Sequence, residues 1–251
     1  MATTVSLPTL AWGSPDATRH ALLVHGLGSN GALMWRYGTA LAEDGWHAVA
    51  VDLRGHGTAP RTLDYTIDAY AADVAAVRAP AGAWDLVIGH SLGGAATVKA
   101  SAADAAWTRR LVLVDPALRL LDSDREVVRR SQAEAFADTS IEAVRRAHPG
   151  WHPQDIELKA LSAQQASAWA VEQTSLQNPG WDVLDAVARL AVPTHVIASD
   201  PAVYSIYADK IDDAVRQANP AVTTSVVADA GHSPHRDRPE ETVRMLREVL
   251  R

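Results

Sequence analysis

The chain of 251 residues sets 23 Lys and Arg against 30 Asp and Glu, a formal net charge of −7, with 47% hydrophobic residues and no cysteine. This composition lies far from the low-hydrophobicity, high-charge regime of disordered chains, and its scattered basic residues offer no surface for neutralising phosphates, so a globular fold without a nucleic-acid partner is expected. Without a thiol there is no disulfide framework, no Cys-ligated metal and no cysteine nucleophile, which leaves oxygen and nitrogen to carry any chemistry.

In chain order, residues 1–10 lack the basic and apolar regions of a secretory leader, and no apolar run approaches the roughly 18 residues of a membrane span. A cytoplasmic protein with no membrane partner is expected. Apolar runs at 21–24 and 47–51 then flank a segment, 32–43, whose apolar residues recur at three- and four-residue spacing. The two runs read as strands buried on both faces and the segment between them as a helix. The alternation continues with a helix at 67–77, a strand at 86–88, a helix of small residues at 91–103 and a strand at 111–114. This is the rhythm of a parallel sheet with helices on its faces. After 114 it stops. Segments 122–137, 141–147, 155–172 and 182–190 are all helical in pattern, with turn signals at His148-Pro149-Gly150 and Asn178-Pro179-Gly180. Strands resume at 194–198 and 223–227, with helices at 204–217 and 240–250. The expected fold class is α/β, a mostly parallel central sheet flanked by helices and interrupted by a helical insertion.

Gly89-His90-Ser91-Leu92-Gly93-Gly94 directly follows the third strand and opens a helix. A turn tight enough to present a serine hydroxyl at a strand end brings the flanking backbones together, so glycines stand two residues to either side of Ser91. Ser91 is the candidate nucleophile. In Leu22-Leu23-Val24-His25-Gly26-Leu27-Gly28 a strand runs into a glycine loop, where the backbone amide of Leu27 can join that of Leu92 as two donors to a developing oxyanion. The Leu92 amide also opens a helix, whose dipole favours negative charge. Gly26 is expected to border the substrate, and His25 reads as a structural hydrogen-bonding residue. A serine hydroxyl needs a base that titrates near neutrality. His232, in Asp229-Ala230-Gly231-His232-Ser233-Pro234-His235, lies past a strand end on the same edge of the sheet as Ser91 and is the candidate, with His235 its nearest competitor. A carboxylate must then hold the imidazole's tautomer. Asp200, at the end of the 194–199 run, completes the chain order Ser, Asp, His and is the expected acid; Asp115, which ends the preceding strand, is the alternative.

These segments together resemble the α/β-hydrolase superfamily nearly end to end. The resemblance covers the His25-Gly26 loop, the Asp52-Leu53-Arg54-Gly55-His56-Gly57 turn, the 89–94 elbow, Val114-Asp115-Pro116, Val192-Pro193 before the Asp200 strand, and Gly231-His232. It implies an α/β-hydrolase fold in which 1–118 and 186–251 form the core domain and 119–185 a helical cap, or lid, over the active site. It also implies a serine hydrolase that needs neither cofactor nor metal. His90 and Leu92 around the serine resemble the esterase and lactonase branches, whereas carbon–carbon bond hydrolases more often carry Asn before the serine. A serine nucleophile also departs from the haloalkane dehalogenases and epoxide hydrolases, which use aspartate. The stretch Gly31-Ala32-Leu33-Met34-Trp35 resembles small-molecule methylesterases and puts Trp35 among the expected substrate-binding residues.

Eight tryptophans stand against a single phenylalanine, and Trp151, Trp169 and Trp181 fall in or beside the insertion. Trp151 and Trp181 are expected to line an apolar substrate pocket, the alternative being that they form the cap's own core. His148 and His152 have a helix-like spacing for a metal, but Pro149, Gly150 and Pro153 break any helix there, so a surface turn is expected. The expected activity is cleavage of a carboxylic ester or lactone of a small, largely apolar molecule through an acyl-enzyme. Alternatives on the same triad are carbon–carbon bond hydrolysis, perhydrolysis and cofactor-independent oxygenation. From a different class, the alternative is a ligand receptor with vestigial hydrolysis. No oligomeric state is assigned.

Overall fold

The apolar runs lie side by side in one sheet, and their neighbours in sequence cover its faces. The computed structural model describes residues 3–207 and 209–251. Among them, β1 (Thr9–Trp12), β2 (Arg19–Val24), β3 (Trp46–Val51), β4 (Leu86–His90), β5 (Leu111–Val114), β6 (Thr194–Ser199) and β7 (Thr223–Val227) are arranged in the order β1-β3-β2-β4-β5-β6-β7. β1 pairs antiparallel with β3 and every other pairing is parallel. The helices are α1 (Trp35–Glu43), α2 (Ile67–Ala76), α3 (Leu92–Ala103), α4 (Asp122–Ala137), α5 (Ile141–Ala147), α6 (Pro153–Gln165), α7 (Ala168–Leu176), α8 (Leu184–Val187), α9 (Lys210–Ala218), α10 (Pro234–Asp237) and α11 (Pro239–Val249). No described helix is long and apolar enough to cross a membrane.

Alternation along the strands divides the core in two. Leu22, Val87, Leu113 and Val196 pack on one side with Tyr70 and Val74 of α2, Ala96 and Val98 of α3, Val187 of α8 and Val215 of α9. Leu23, Ile88, Val112 and Ile197 point the other way, to Tyr37 and Leu41 of α1 and Leu246 of α11. Each such aliphatic side chain contributes roughly 1.5–3 kcal/mol by leaving water.

Several elements differ from the sequence expectation: α10 is absent from it, and the helices expected at 182–190 and 204–217 are found as Leu184–Val187 and Lys210–Ala218. Two further differences have a clear local cause. β1 is absent from the expectation because an edge strand of four residues, alternately exposed and half-buried, is stabilised by its ladder to β3 and little by burial. The single helix expected at 155–172 is two, because Ala166 leaves helical geometry (ψ 146°) and the Ser167 hydroxyl accepts from Ala170 N at 3.2 Å to start α7 afresh.

Between β5 and β6 the chain leaves the sheet for α4 to α8. Where it leaves and returns, a short antiparallel contact closes the base: Leu120 N donates to Trp181 O (3.0 Å), Val183 N donates to Leu118 O (2.8 Å), and Arg119 pairs with Asp182 (2.6 Å). Trp181 is part of this base. It is 4% exposed, donates from Nε1 to Ala117 O at 2.7 Å and belongs to the core, which corrects the expectation that it lines the substrate pocket. α6 is tied down through Asp155, which accepts from Trp35 Nε1 (2.7 Å) and pairs with Arg36 (2.8 Å). Trp35 is therefore an anchor for the insertion and, contrary to expectation, lies outside the lining of the cavity beside Ser91.

Candidate active site

Parallel strands bring the loops after β4, β5, β6 and β7 to one edge, and the chemistry-bearing residues collect there. Ser91 sits between β4 and α3 with φ 53° and ψ −118°, a conformation that disfavours any side chain and costs of the order of 1–3 kcal/mol. Its backbone is held on several sides: Ser91 N donates to Val114 O (3.1 Å), while Gly94 N and Ala117 N donate to Ser91 O (2.9 and 3.1 Å). The flanking glycines are needed for space. A Cβ on Gly89 would lie 2.6 Å from Thr97 Oγ1 and 2.7 Å from Gly93 O, and one on Gly93 would run into the carbonyl oxygens of Val24 and His25.

The Ser91 hydroxyl donates to His232 Nε2 at 3.0 Å, and His232 Nδ1 donates to Asp115 Oδ2 at 2.7 Å. The imidazole is thus held as its Nδ1–H tautomer, with Nε2 free to accept the serine proton. Asp115 is fully buried, at φ 36°, and its carboxylate also accepts from the Ser205 hydroxyl, Ser199 N (3.2 Å) and Ile206 N (3.2 Å).

Asp200 does not reach the imidazole, which corrects the expected assignment of the acid. Its carboxylate is exposed and accepts from Asp229 N and Ala202 N, both at 2.8 Å, so it fixes the loop before His232. The reason lies in the strand order. β5 is the neighbour of β4, so the residue ending β5 stands next to Ser91, and β6 is one strand further away.

Four histidines support the site without joining the relay. His90 Nε2 donates to the carbonyl of His232 at 2.8 Å and holds that loop. Burial, then the neighbouring His232 and Arg236, keep the His90 pKa well below the usual value. His25 donates from Nδ1 to Gly26 O (2.7 Å) and accepts Leu53 N at Nε2 (3.0 Å). Burial and the adjacent His56 bring its pKa down to about 3, and burial brings His56 to about 4. His235, the competitor as base, is fully buried with neither ring nitrogen hydrogen-bonded, and burial and Arg236 hold it well below its usual pKa.

A cavity of about 680 Å³ opens over Ser91 and His232. Gly26 and Leu27 are among its lining residues, and Gly26 stands so close that an added Cβ would lie 2.9 Å from Ser91 Cβ. Leu92 opens α3, so its N–H has no acceptor within the helix, while its side chain is buried in the core. Val127, Val128 and Gln132 of α4 face the same space. So does Trp151, whose Nε1 donates to Asp237 Oδ1 (2.6 Å) and whose ring stacks on His148 at 3.7 Å. His152 caps α6 by accepting Gln154 N (3.2 Å). No group of three or more His, Asp or Glu side chains able to hold a metal ion occurs among the described residues. Ser205 and Arg236 were missed by sequence reasoning: nothing in the sequence says that Ser205 reaches Asp115, or that one arginine of many is buried in the cavity wall.

A model of the alpha/beta hydrolase family matches residues 21–245. The chain is 33% identical to "Lipase LipV" of Mycobacterium tuberculosis over 153 residues, 60% of this chain and 57% of that protein. It is 30% identical to a 2-(acetamidomethylene)succinate hydrolase of Mesorhizobium japonicum over 167 residues, 59% of this chain and 60% of that protein. The chain thus spans less than two thirds of the length of either relative. Among solved structures, an esterase from Exiguobacterium antarcticum superposes with a TM-score of 0.78 at 16% identity over 100% of both chains, which is a likeness of fold.

Proposed function

Because the chain belongs to the alpha/beta hydrolase family, we propose that it is a serine hydrolase that cleaves a carboxylic ester or lactone of a small molecule through an acyl-enzyme, with Ser91, His232 and Asp115 as the triad. The observation that carries this reading is the unbroken relay from Ser91 Oγ through His232 to a buried Asp115, at the wall of a cavity of about 680 Å³. Ser91 Oγ attacks the carbonyl carbon as its proton passes to His232 Nε2, and Asp115 stabilises the imidazolium. The amides of Leu27 and Leu92 receive the negative charge on the carbonyl oxygen. Collapse expels the alcohol, which takes the proton from His232; in a lactone that alcohol stays tethered. Water then attacks the acyl group with His232 as base, releasing the acid and free Ser91. The helices between β5 and β6, in the segment 119–185, act as the cap that shapes the acyl and alcohol sites.

The test is Ser91→Ala assayed on p-nitrophenyl esters, with fluorophosphonate labelling as control. A loss of about 10,000-fold or more in kcat with an unchanged melting curve is expected. Retention of most activity would remove Ser91 from the mechanism. Similarity to a 2-(acetamidomethylene)succinate hydrolase favours a second reading, cleavage of another acyl bond by the same triad. A panel of esters, lactones and amides of one acid separates the two.

A further inference from the structure

Arg236 lies four residues after His232, on α10, and is 5% exposed. A buried guanidinium is ordinarily paired with a carboxylate, and this one is not. Of its five N–H groups, one on Nη1 donates to the Ser233 hydroxyl at 3.3 Å; the guanidinium stands 5.2 Å from the Trp151 ring, and Nε is buried with no acceptor. The two carboxylates whose fields reach it are committed elsewhere. Asp237 accepts Trp151 Nε1 (2.6 Å) and Gly231 N (2.9 Å), and Asp155 accepts Trp35 Nε1 (2.7 Å) and the Arg36 guanidinium (2.8 Å). Lys159 of α6 lines the same cavity and uses one of its protons on Gly28 O at 2.9 Å.

The charges lining the cavity are Lys159, Arg236 and Arg238 against Asp229 and Asp237, a surplus of one cation in a chain of net charge −7. Arg238 and Asp229 pair with each other at 3.2 Å where both are largely exposed, so the surplus belongs to the inner wall, where Asp237 faces two cations. We propose that the substrate carries a carboxylate, which Arg236 and Lys159 bind on the inner wall while its acyl carbonyl lies at Ser91. A carboxylate supplies the acceptors that Arg236 lacks and brings the inner wall to neutrality. The cavity as it stands favours such an anion: burial and the charge of Arg236 already depress the Lys159 pKa to about 8, a strain that an incoming anion relieves. The identity of the reacting group rests on the serine-hydrolase reading; the anion site itself does not.

The test compares mono-p-nitrophenyl glutarate with its methyl ester, which has the same chain and no charge. The wild-type enzyme is expected to prefer the acid in kcat/KM by about 10- to 100-fold. The preference should vanish in Arg236→Gln, shrink in Lys159→Met and be partly restored in Arg236→Lys, a pattern that loss of packing alone does not produce. Calorimetry of glutarate monoamide binding to Ser91→Ala reads the site without turnover, and if Arg236→Gln fails to fold, the wild-type pair and this titration decide. Equal rates on acid and ester, with Ser91-dependent turnover of both, overturn the anion site and leave the hydrolase reading intact. Binding of the monoamide, with no ester turned over, supports the anion site and overturns the hydrolase reading. No binding and no turnover overturn both.

Discussion

α3 reaches the cavity through Ser91 at its N-cap and α4 through Val127 and Val128, and the two helices are built in opposite ways. Nine of the 12 residues of α3 are buried, whereas none of the 16 residues of α4 is. The small side chains of α3 let backbone approach backbone, with Gly94 so placed that an added Cβ would lie 2.6 Å from Pro116 Cβ. α4 lies on the outside, tied at its first turn where Arg125 donates to the carbonyl of Pro179 at 2.7 Å, and it turns Val127 and Val128 to the cavity. The contrast separates two tasks. Reacting atoms must be held to within fractions of an ångström without substrate, so Ser91 rests on an element fixed from all sides. The wall that meets the variable part of a substrate keeps apolar surface unsatisfied until something binds, and such elements come from the low-stability end of a fold.

The sharpest test of the rigid region is its acid. Asp115→Asn should lower kcat by about 10,000-fold, because an amide cannot hold the Nδ1–H tautomer or stabilise the imidazolium. Asp200→Asn should leave kcat within about twofold, as for most exposed substitutions. A larger loss in Asp200→Asn would reverse the assignment. Next in size is stability. Gly93→Ala pushes a methyl into two carbonyl oxygens and should lower stability by about 3 kcal/mol or more. Ala133→Gly on exposed α4 should cost about 1 kcal/mol, the helix-propensity difference alone. Urea titrations of the two variants compare the regions directly, and equal losses would remove the distinction.

What was legible in the sequence follows the same division. The elbow was legible because glycines at 89 and 93 are forced by contacts that any strand-to-helix turn of this tightness must make. The buried strands were legible because burial on both faces demands unbroken apolar runs. β1 was not, since pairing stabilises it more than burial does. Asp115 and Asp200 were indistinguishable, because both end parallel strands and the order of strands in a sheet is a tertiary property. Trp35 and Trp181 misled because an aromatic ring reads as pocket lining, whereas here each indole N–H serves a structural acceptor. The start of α7 was available in principle: Ser167 before Ala168-Trp169-Ala170 is an N-cap pattern.

Acid should attack the rigid region first. His25 and His56, with folded pKa values of about 3 and about 4 against an ordinary 6.5, are both fully buried, with ring centroids 5.4 Å apart. Between those values and 6.5 the unfolded chain binds protons that the folded chain refuses, so stability is full above pH 6.5 and falls as pH drops. Each of the two contributes up to about 1.4 kcal/mol per pH unit in that window, and His90 and His235, whose values are also depressed by burial, add to it. Urea midpoints measured from pH 7 to pH 4.5 should decline steadily. A flat profile from pH 7 to pH 5 would mean that these imidazoles accept protons in the folded state.

The smallest effect on stability should come from the cavity face of α4. Val128 is half-buried and faces the space over Ser91, so in the free protein its side chain has few atoms to lose contact with. Val128→Ala should change stability by less than about 0.5 kcal/mol, the range of substitutions outside the packed core. The same two methyl groups should matter once a substrate fills the cavity, because burying them against a ligand removes apolar surface from water at about 0.8 kcal/mol per carbon. KM should therefore rise several-fold while kcat holds, since these contacts form equally in the ground and transition states. A fall in kcat with unchanged KM would place α4 in the chemistry and not in its wall. A large loss of stability would show instead that Val128 is packed against the protein, and the contrast with α3 would then be one of degree.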